Sequence, residues 1–320
     1  MKVSVIVPLY NKAPTIQRTL DSVLGQTLAD FELIVVDDGS TDGGVEIVER
    51  CGDPRVRLFR QANTGPGAAR NRALREAKGE YAAFLDADDE WLPDFLKKGM
   101  ALAEKCPEAA AVASGYVLDP DGRSTESMWR RRGLHEGIWR LEPDMPPQLG
   151  VYLLAYLSPC TTVARLEIVR RWGGFFSSWK CLYGEDSFLW LKVLLHESVV
   201  LNLEPLVRFH TEASALTKNL GGPRPVEPIL LHPEELRQTC PQELKNLLEG
   251  ILALHALKTA CMLGYWGRWR EGRALLHRFS PSSNWRRAAL AQFVASPLGA
   301  TAGKLWRWLR GIGLQPAAAP

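Results

Sequence analysis

Residues 81–91 read YAAFLDADDEW, an apolar run leading straight into Asp86, Asp88, Asp89 and Glu90. YAAFL has the length and character of a strand buried on both faces, and the acids fall at its carboxyl end. Like charges this close repel one another. Either the segment faces water in a turn and caps the following helix, or it holds a cation. An EF-hand is excluded, because the sixth position from Asp86 is Trp91 rather than glycine and the twelfth is Lys97.

The surrounding pattern sets the fold class. VSVIVPLY near the N-terminus is a β-branched apolar run expected to form a buried strand, and Ile16, Leu20, Val23 and Leu24 then share one helical face. FELIVV (31–36) predicts a second strand, GVEIVERCG a helix closed by Gly52, and VRLFRQ a third strand. NTGPGAARNRALREAKG predicts a loop and a helix capped by Gly79, followed by the YAAFL strand. A helix from Pro93 to about Cys106 and a strand from Ala110 to Leu118 come next. This alternation predicts an α/β fold with a mostly parallel sheet flanked by helices. Ligands of such sheets bind beyond the carboxyl ends of the strands. Asp37–Asp38 and Asp86–Asp89 both fall there.

Residues 120–150 read as loop. Beyond them, YGEDSFLWLKVLL predicts a helix and VVLNLEPLVRFH a strand. GGPRPVEP, from Gly221, predicts a boundary between residues 1–220 and a helical, basic, Trp/Arg-rich region over 221–320.

With 46% hydrophobic and 23% charged residues the chain is globular, and a formal charge of +3 does not call for nucleic acid. The charge is uneven. Residues 261–320 hold nine basic side chains against the single acid Glu271. Leu305, Trp306 and Leu309 beside Lys304, Arg307 and Arg310 suit an anionic membrane surface as well as a helix packed on the rest of the chain. The six scattered cysteines form no CxxC pair, which fits a reducing compartment. There is no signal-peptide pattern, and ILALHALKTACMLGYW is interrupted by His255 and Lys258, so a cytoplasmic protein is expected.

VSVIVPLYN, DSVLGQT, ELIVVDDGSTD, NTGPGAARNRAL, GEYAAFLDADDEW and GEDSFLWLKV occur in the order and spacing of family 2 glycosyltransferases. Over about residues 1 to 215 the chain resembles these enzymes, whose catalytic domain has the GT-A fold. The resemblance implies an inverting, metal-dependent transfer of one sugar from a nucleoside-diphosphate sugar, most simply UDP-linked. The acceptor would be a glycan or lipid-linked hydroxyl. DADD would be the DxD motif, with Asp88 ligating Mn²⁺ or Mg²⁺, Asp89 as an alternative ligand, and Asp86 near the ribose or sugar. Asp38, with Asp37 as second candidate, would bind the nucleoside, and Pro8 and Tyr10 would line its base pocket. Arg70 would reach a phosphate or sugar. Asp186 in GED would be the base, with Glu185, Trp172 and Gly174 on the acceptor side and His210 near the metal. The processive members' Q-x-x-R-W segment is missing, which implies one sugar per encounter. Two alternatives are a non-catalytic carbohydrate- or lipid-binding protein that keeps the fold, and a sugar nucleotidyltransferase. The envelope-glycan context of many relatives implies a peripheral position on the inner face of the plasma membrane.

Overall fold

The computed structural model describes residues 2–212 and 223–279, together with 293, 296–299 and 301. The tryptophan–arginine face expected around Trp306 lies outside the described residues.

The first half alternates as its sequence predicts. β1 (Val3–Leu9), α1 (Ala13–Leu24), β2 (Phe31–Asp37), α2 (Gly44–Arg50), β3 (Val56–Arg60), α3 (Pro66–Glu76) and β4 (Tyr81–Phe84) follow one another. β1 pairs in parallel with β2 and with β4, and β2 with β3. Register sets Leu9 opposite Asp37 and Ile6 opposite Phe84, so both acidic segments emerge at one edge of the sheet.

After β5 (Glu90–Trp91) come α4 (Phe95–Lys105), β6 (Ala109–Asp119), β7 (Arg123–Ser124), α5 (Glu126–Arg131), β8 (Gly137–Trp139) and α6 (Pro147–Tyr156). The segment read as loop is therefore built of short elements, anchored by the buried Trp129, Leu134, Trp139 and Leu141. Pro147 occupies the helix start, where its missing N–H costs nothing. β9 (Thr162–Arg165), α7 (Leu166–Arg171), α8 (Glu185–His196) and β10 (Ser198–His210) complete the sheet, ordered β3-β2-β1-β4-β9-β6-β10-β5.

β9 runs antiparallel to both β4 and β6, so the sheet is mixed, its longer parallel ladders joined through an antiparallel strand. Gly79 is not a helix cap. The helix ends at Glu76, and a Cβ at Gly79 would stand 2.6 Å from the Ser4 nitrogen, so glycine is required by close approach to β1. Gly52, at φ +66, does follow the end of α2 in the left-handed region.

Alternating strand residues feed two apolar layers. Val3, Val5, Val7, Leu33 and Val35 pack on α1, α2 and α4, while Ile6, Ile34, Val36 and Phe84 pack on the other face. That second layer continues without a break into α9 (Pro228–Leu231), α10 (Pro233–Thr239), α11 (Lys245–Tyr265) and α12 (Trp269–Arg278), through Ile229, Leu236, Leu248, Ile251 and Leu252. Residues 223–279 therefore share this layer's core with the sheet, beside a small cluster of their own around Ala260 and Leu276. Gln242–Tyr265 is long and apolar enough to cross a membrane, but 61% of its apolar window is buried against the protein.

Candidate active site

The four acids leave β4 with alternating exposure. Asp86, Asp88 and Glu90 are half-buried, and Ala87 and Asp89 are buried. α1 grips their backbone. The Thr15 hydroxyl donates to the Ala87 carbonyl, Arg18 Nη2 to Asp88 and the Thr19 hydroxyl to Asp89, each at 2.8 Å. Gln26 Nε2 donates to the Leu92 carbonyl at 2.8 Å. Positions 15, 18, 19 and 22 lie on one face of α1, with Gln26 just past its end, so α1 buries its apolar stripe and sets the acidic segment with the polar flank beside it.

Each acid has its own partner. Arg70 Nη2 meets Asp86 Oδ1 at 2.5 Å, and Lys12 Nζ meets Asp88 Oδ2 at 2.5 Å. The His210 backbone N–H donates to Asp89 Oδ1 at 3.0 Å, and the Cys160 thiol to Asp89 Oδ2 at 3.4 Å. His210 Nε2 lies 3.3 Å from Glu90 Oε2. These partners do not cancel the crowding. Burial, then the Asp86 charge, lifts Asp88 above the usual carboxylate range against the pull of Lys12. Burial, Asp88 and Asp86 together lift Asp89 much further.

At the end of β2, Asp38 is buried. Its carboxylate accepts from Gln61 Nε2 (2.8 Å) and from the N–H groups of Thr64 (2.9 Å) and Gly65 (2.8 Å). It thereby fixes the turn into α3. Asp37 accepts the Ser40 N–H at 2.9 Å and closes the DGS turn. Pro8 is half-buried beside Val36, and Tyr10 is exposed with the Lys180 ammonium 5.8 Å from its ring.

Arg70 joins the two halves of the site. Only 3% exposed, it binds Asp86 with one nitrogen and, with the other, Glu185 Oε1 at 2.8 Å. Its guanidinium also stands 5.1 Å from the Phe175 ring. Glu185 and Asp186 are the first residues of α8, which starts from Gly184 at φ +78. Burial, with the Glu185 charge adding, pushes the Asp186 carboxyl up to about 7, against the attraction of Arg70 and the N–H of Ser187. A carboxylate tuned there accepts a proton near neutral pH.

Trp172 is not brought to this group. It stacks on His196 at 4.1 Å, at the far end of α8 and about 15 Å along the helix from Asp186 at 1.5 Å per residue. Glu185 is buried in its ion pair with Arg70. Gly174, at φ +71, sits where a Cβ would meet Asn71 Oδ1 at 2.4 Å, so it holds its turn against α3. His210 spends both ring nitrogens, on Glu90 and Glu212. Asp89 faces inward to Cys160, and Asp86, Asp89 and Cys160 each place one donor atom within 4.8 Å of the others. The neighbouring carboxylates of Asp86 and Asp88 are a donor set that suits a hard divalent cation. Lys12, Thr15, Arg18, Thr19 and Cys160 escape a motif reading. The threonines and Arg18 are signalled only by the polar flank of α1.

The family model for glycosyl transferase family 2 matches residues 4–172. The chain is 44% identical over 156 residues to YibD of Escherichia coli K12, an uncharacterized glycosyltransferase, covering 43% of this chain and 45% of that protein. It is 41% identical over 123 residues to the succinoglycan biosynthesis protein ExoO of Rhizobium meliloti, covering 38% and 35%. The chain thus spans less than half the length of these relatives. S. aureus TarS, solved with UDP-GlcNAc, superposes with a TM-score of 0.57 at 20% identity over 89% of this chain and 93% of that one. The mannosyltransferase PcManGT of Pyrobaculum calidifontis, solved with GDP-Man and Mn²⁺, gives 0.58 at 22% identity over 97% and 84%. These likenesses establish the fold as GT-A.

Proposed function

The chain belongs to glycosyl transferase family 2, and from that membership we propose that it moves a single sugar, with inversion, from a nucleoside-diphosphate sugar to a hydroxyl of a glycan or lipid-linked acceptor. Assembly of an envelope polysaccharide is the setting, in keeping with relatives such as ExoO. One observation carries the reading: Arg70 ties Asp86 of the acidic edge to Glu185, the neighbour of Asp186. A donor site and a base tuned to neutral pH are thereby held on one rim of the sheet.

In this reading Asp38 and its turn, with Pro8 and Tyr10, receive the nucleoside, and Asp86 orients the ribose or sugar. Asp88 would hold the Mn²⁺ or Mg²⁺, which when bound neutralises charge on the leaving diphosphate. Asp186 accepts the acceptor's proton as its oxygen attacks the anomeric carbon opposite the diphosphate. Holding both substrates in line supplies much of the acceleration. UDP is the proposed nucleotide. TarS was solved with UDP-GlcNAc and PcManGT with GDP-Man, so the assay must compare both bases.

The test is calorimetric titration of UDP and GDP, with and without Mn²⁺, into wild type and Asp88→Asn, followed by turnover with the matching nucleotide sugars. Binding that needs both metal and Asp88 supports the reading. If neither nucleotide binds, the donor-site reading is lost and a non-catalytic binding protein becomes the better account.

A further inference from the structure

Lys12 lies outside every motif, yet its geometry is tightly determined. Asn11, just before it, adopts φ +50, a left-handed conformation that asparagine tolerates better than most residues. Two bonds lock that turn. Asn11 Oδ1 accepts the Thr41 N–H at 2.9 Å, and the Asn11 N–H donates to the Ser40 hydroxyl at 3.1 Å. The turn after β2 therefore aims the chain after β1 across the carboxyl edge, and Lys12 lands on the carboxylate of Asp88. The contact is sheltered, with side-chain exposures of 21% for Lys12 and 14% for Asp88. Arg18 reaches the Asp88 carbonyl from the same side.

We propose that Lys12 is the resident counter-ion of Asp88 and that it makes divalent-cation binding at this carboxylate wait for the nucleotide. The inference rests on the donor-site reading above. With Lys12 in place, one oxygen of Asp88 is taken by a positive charge, and a dication approaching alone meets that charge at contact distance. A nucleoside diphosphate brings negative charge of its own, enough for dication and ammonium to share the edge. A lysine is suited to such an exchange. Its ammonium is a compact charge on a flexible four-carbon stem and can leave Asp88 for a nearby phosphate oxygen without moving the backbone. Lys12 is thus a positioning residue for cation loading, and the order of binding follows from where the charges sit.

The experiment measures free Mn²⁺ by electron paramagnetic resonance during titration of wild type, Lys12→Met and Lys12→Arg, each alone and with UDP or GDP. Thermal melting confirms that the variants are folded. Wild type should bind Mn²⁺ weakly alone and at least about tenfold more tightly with nucleotide. Lys12→Met should bind Mn²⁺ alone about tenfold more tightly than wild type, the scale of one sheltered charge at contact distance. Its dependence on nucleotide should shrink by the same factor, and Lys12→Arg should stay close to wild type. Equal Mn²⁺ affinity of wild type and Lys12→Met without nucleotide overturns the inference while leaving the donor site standing. Nucleotide binding that ignores Mn²⁺ in every variant overturns it too. If no variant binds nucleotide or Mn²⁺, the donor-site reading has failed and the inference falls with it.

Discussion

Glu32, at the amino end of the sheet, and the acids after β4, at its carboxyl end, are treated in opposite ways. At the amino end Glu32 is buried beside Ser4. Its oxygens accept the Ser4 hydroxyl at 2.7 Å, the Lys78 N–H at 2.8 Å and Arg57 Nη1 at 2.6 Å. Burial pushes Glu32 upward, but these donors outweigh it and hold the carboxyl below its usual range. At the carboxyl end four acids sit within five positions, and burial with mutual repulsion holds Asp88 and Asp89 above theirs. The amino-end acid stabilises the fold. The carboxyl-end acids, where ionised, cost stability, and a bound cation as proposed above would relieve that cost. Surplus negative charge, more than acidity itself, separates a binding edge from a structural one.

The largest effect that sharpens this contrast is on catalysis. Asp186→Asn should lower turnover by about 10²- to 10⁴-fold, the range for loss of a positioned base, with nucleotide affinity unchanged by calorimetry. Because the Asp186 carboxyl is held up to about 7, wild-type transfer should decline as pH falls below about 7. Nucleotide-release assays across pH check both. Next is the bridge between the two halves. Arg70→Leu leaves the part-exposed Asp86 and the buried Glu185 without their shared cation, and breaking the buried Arg70–Glu185 pair this way costs about 3–5 kcal/mol. Urea denaturation measures it. A loss under 1 kcal/mol would mean the two acids find other partners, and the joined-site argument would weaken.

Glu32→Gln probes the amino end. It removes charge-assisted bonds to Ser4 and Arg57 and should cost about 1.5–3 kcal/mol, with nucleotide binding intact. Since folding lowers the Glu32 pKa, its contribution is present above the ordinary glutamate value and is lost as pH falls through the lowered one. The wild-type advantage over Glu32→Gln should therefore vanish in acid.

How far the sequence carried this picture depends on the distance between partners. Strands β1 to β4, the acids at their ends and Asp186 at a helix start are local patterns, and the chain spells them out. What it hides is pairing. Arg70 reads as a residue for a phosphate, yet it meets Glu185 115 positions away, and Lys12 meets Asp88 76 positions away. No periodicity encodes such contacts. Resemblance puts Trp172 on the acceptor side, but its ring stacks on His196, ten positions past Asp186 at the far end of α8. The direction of β9 was equally silent, and strands of two or three residues such as β7 and β8 are too short to show an alternation.

The smallest predicted effect is the sharpest test of the contrast. Asp89→Asn, in EDTA-treated protein, keeps an oxygen for the His210 N–H and removes one charge from the crowd. The Cys160 thiol, which donates weakly at 3.4 Å, loses little. At neutral pH the substitution should change stability by no more than about 0.5 kcal/mol or should stabilise, unlike Glu32→Gln. The pH dependence has the opposite sign as well. Folding raises the Asp89 pKa, so the wild-type protein takes up a proton there on folding. Its stability falls as pH rises from the ordinary aspartate value through the raised one. Asparagine has no such slope, so the variant should gain on wild type as pH rises over that window. Guanidinium melts at several pH values measure the difference. A clear loss at neutral pH would place Asp89 with Glu32, as an acid whose charge the fold requires.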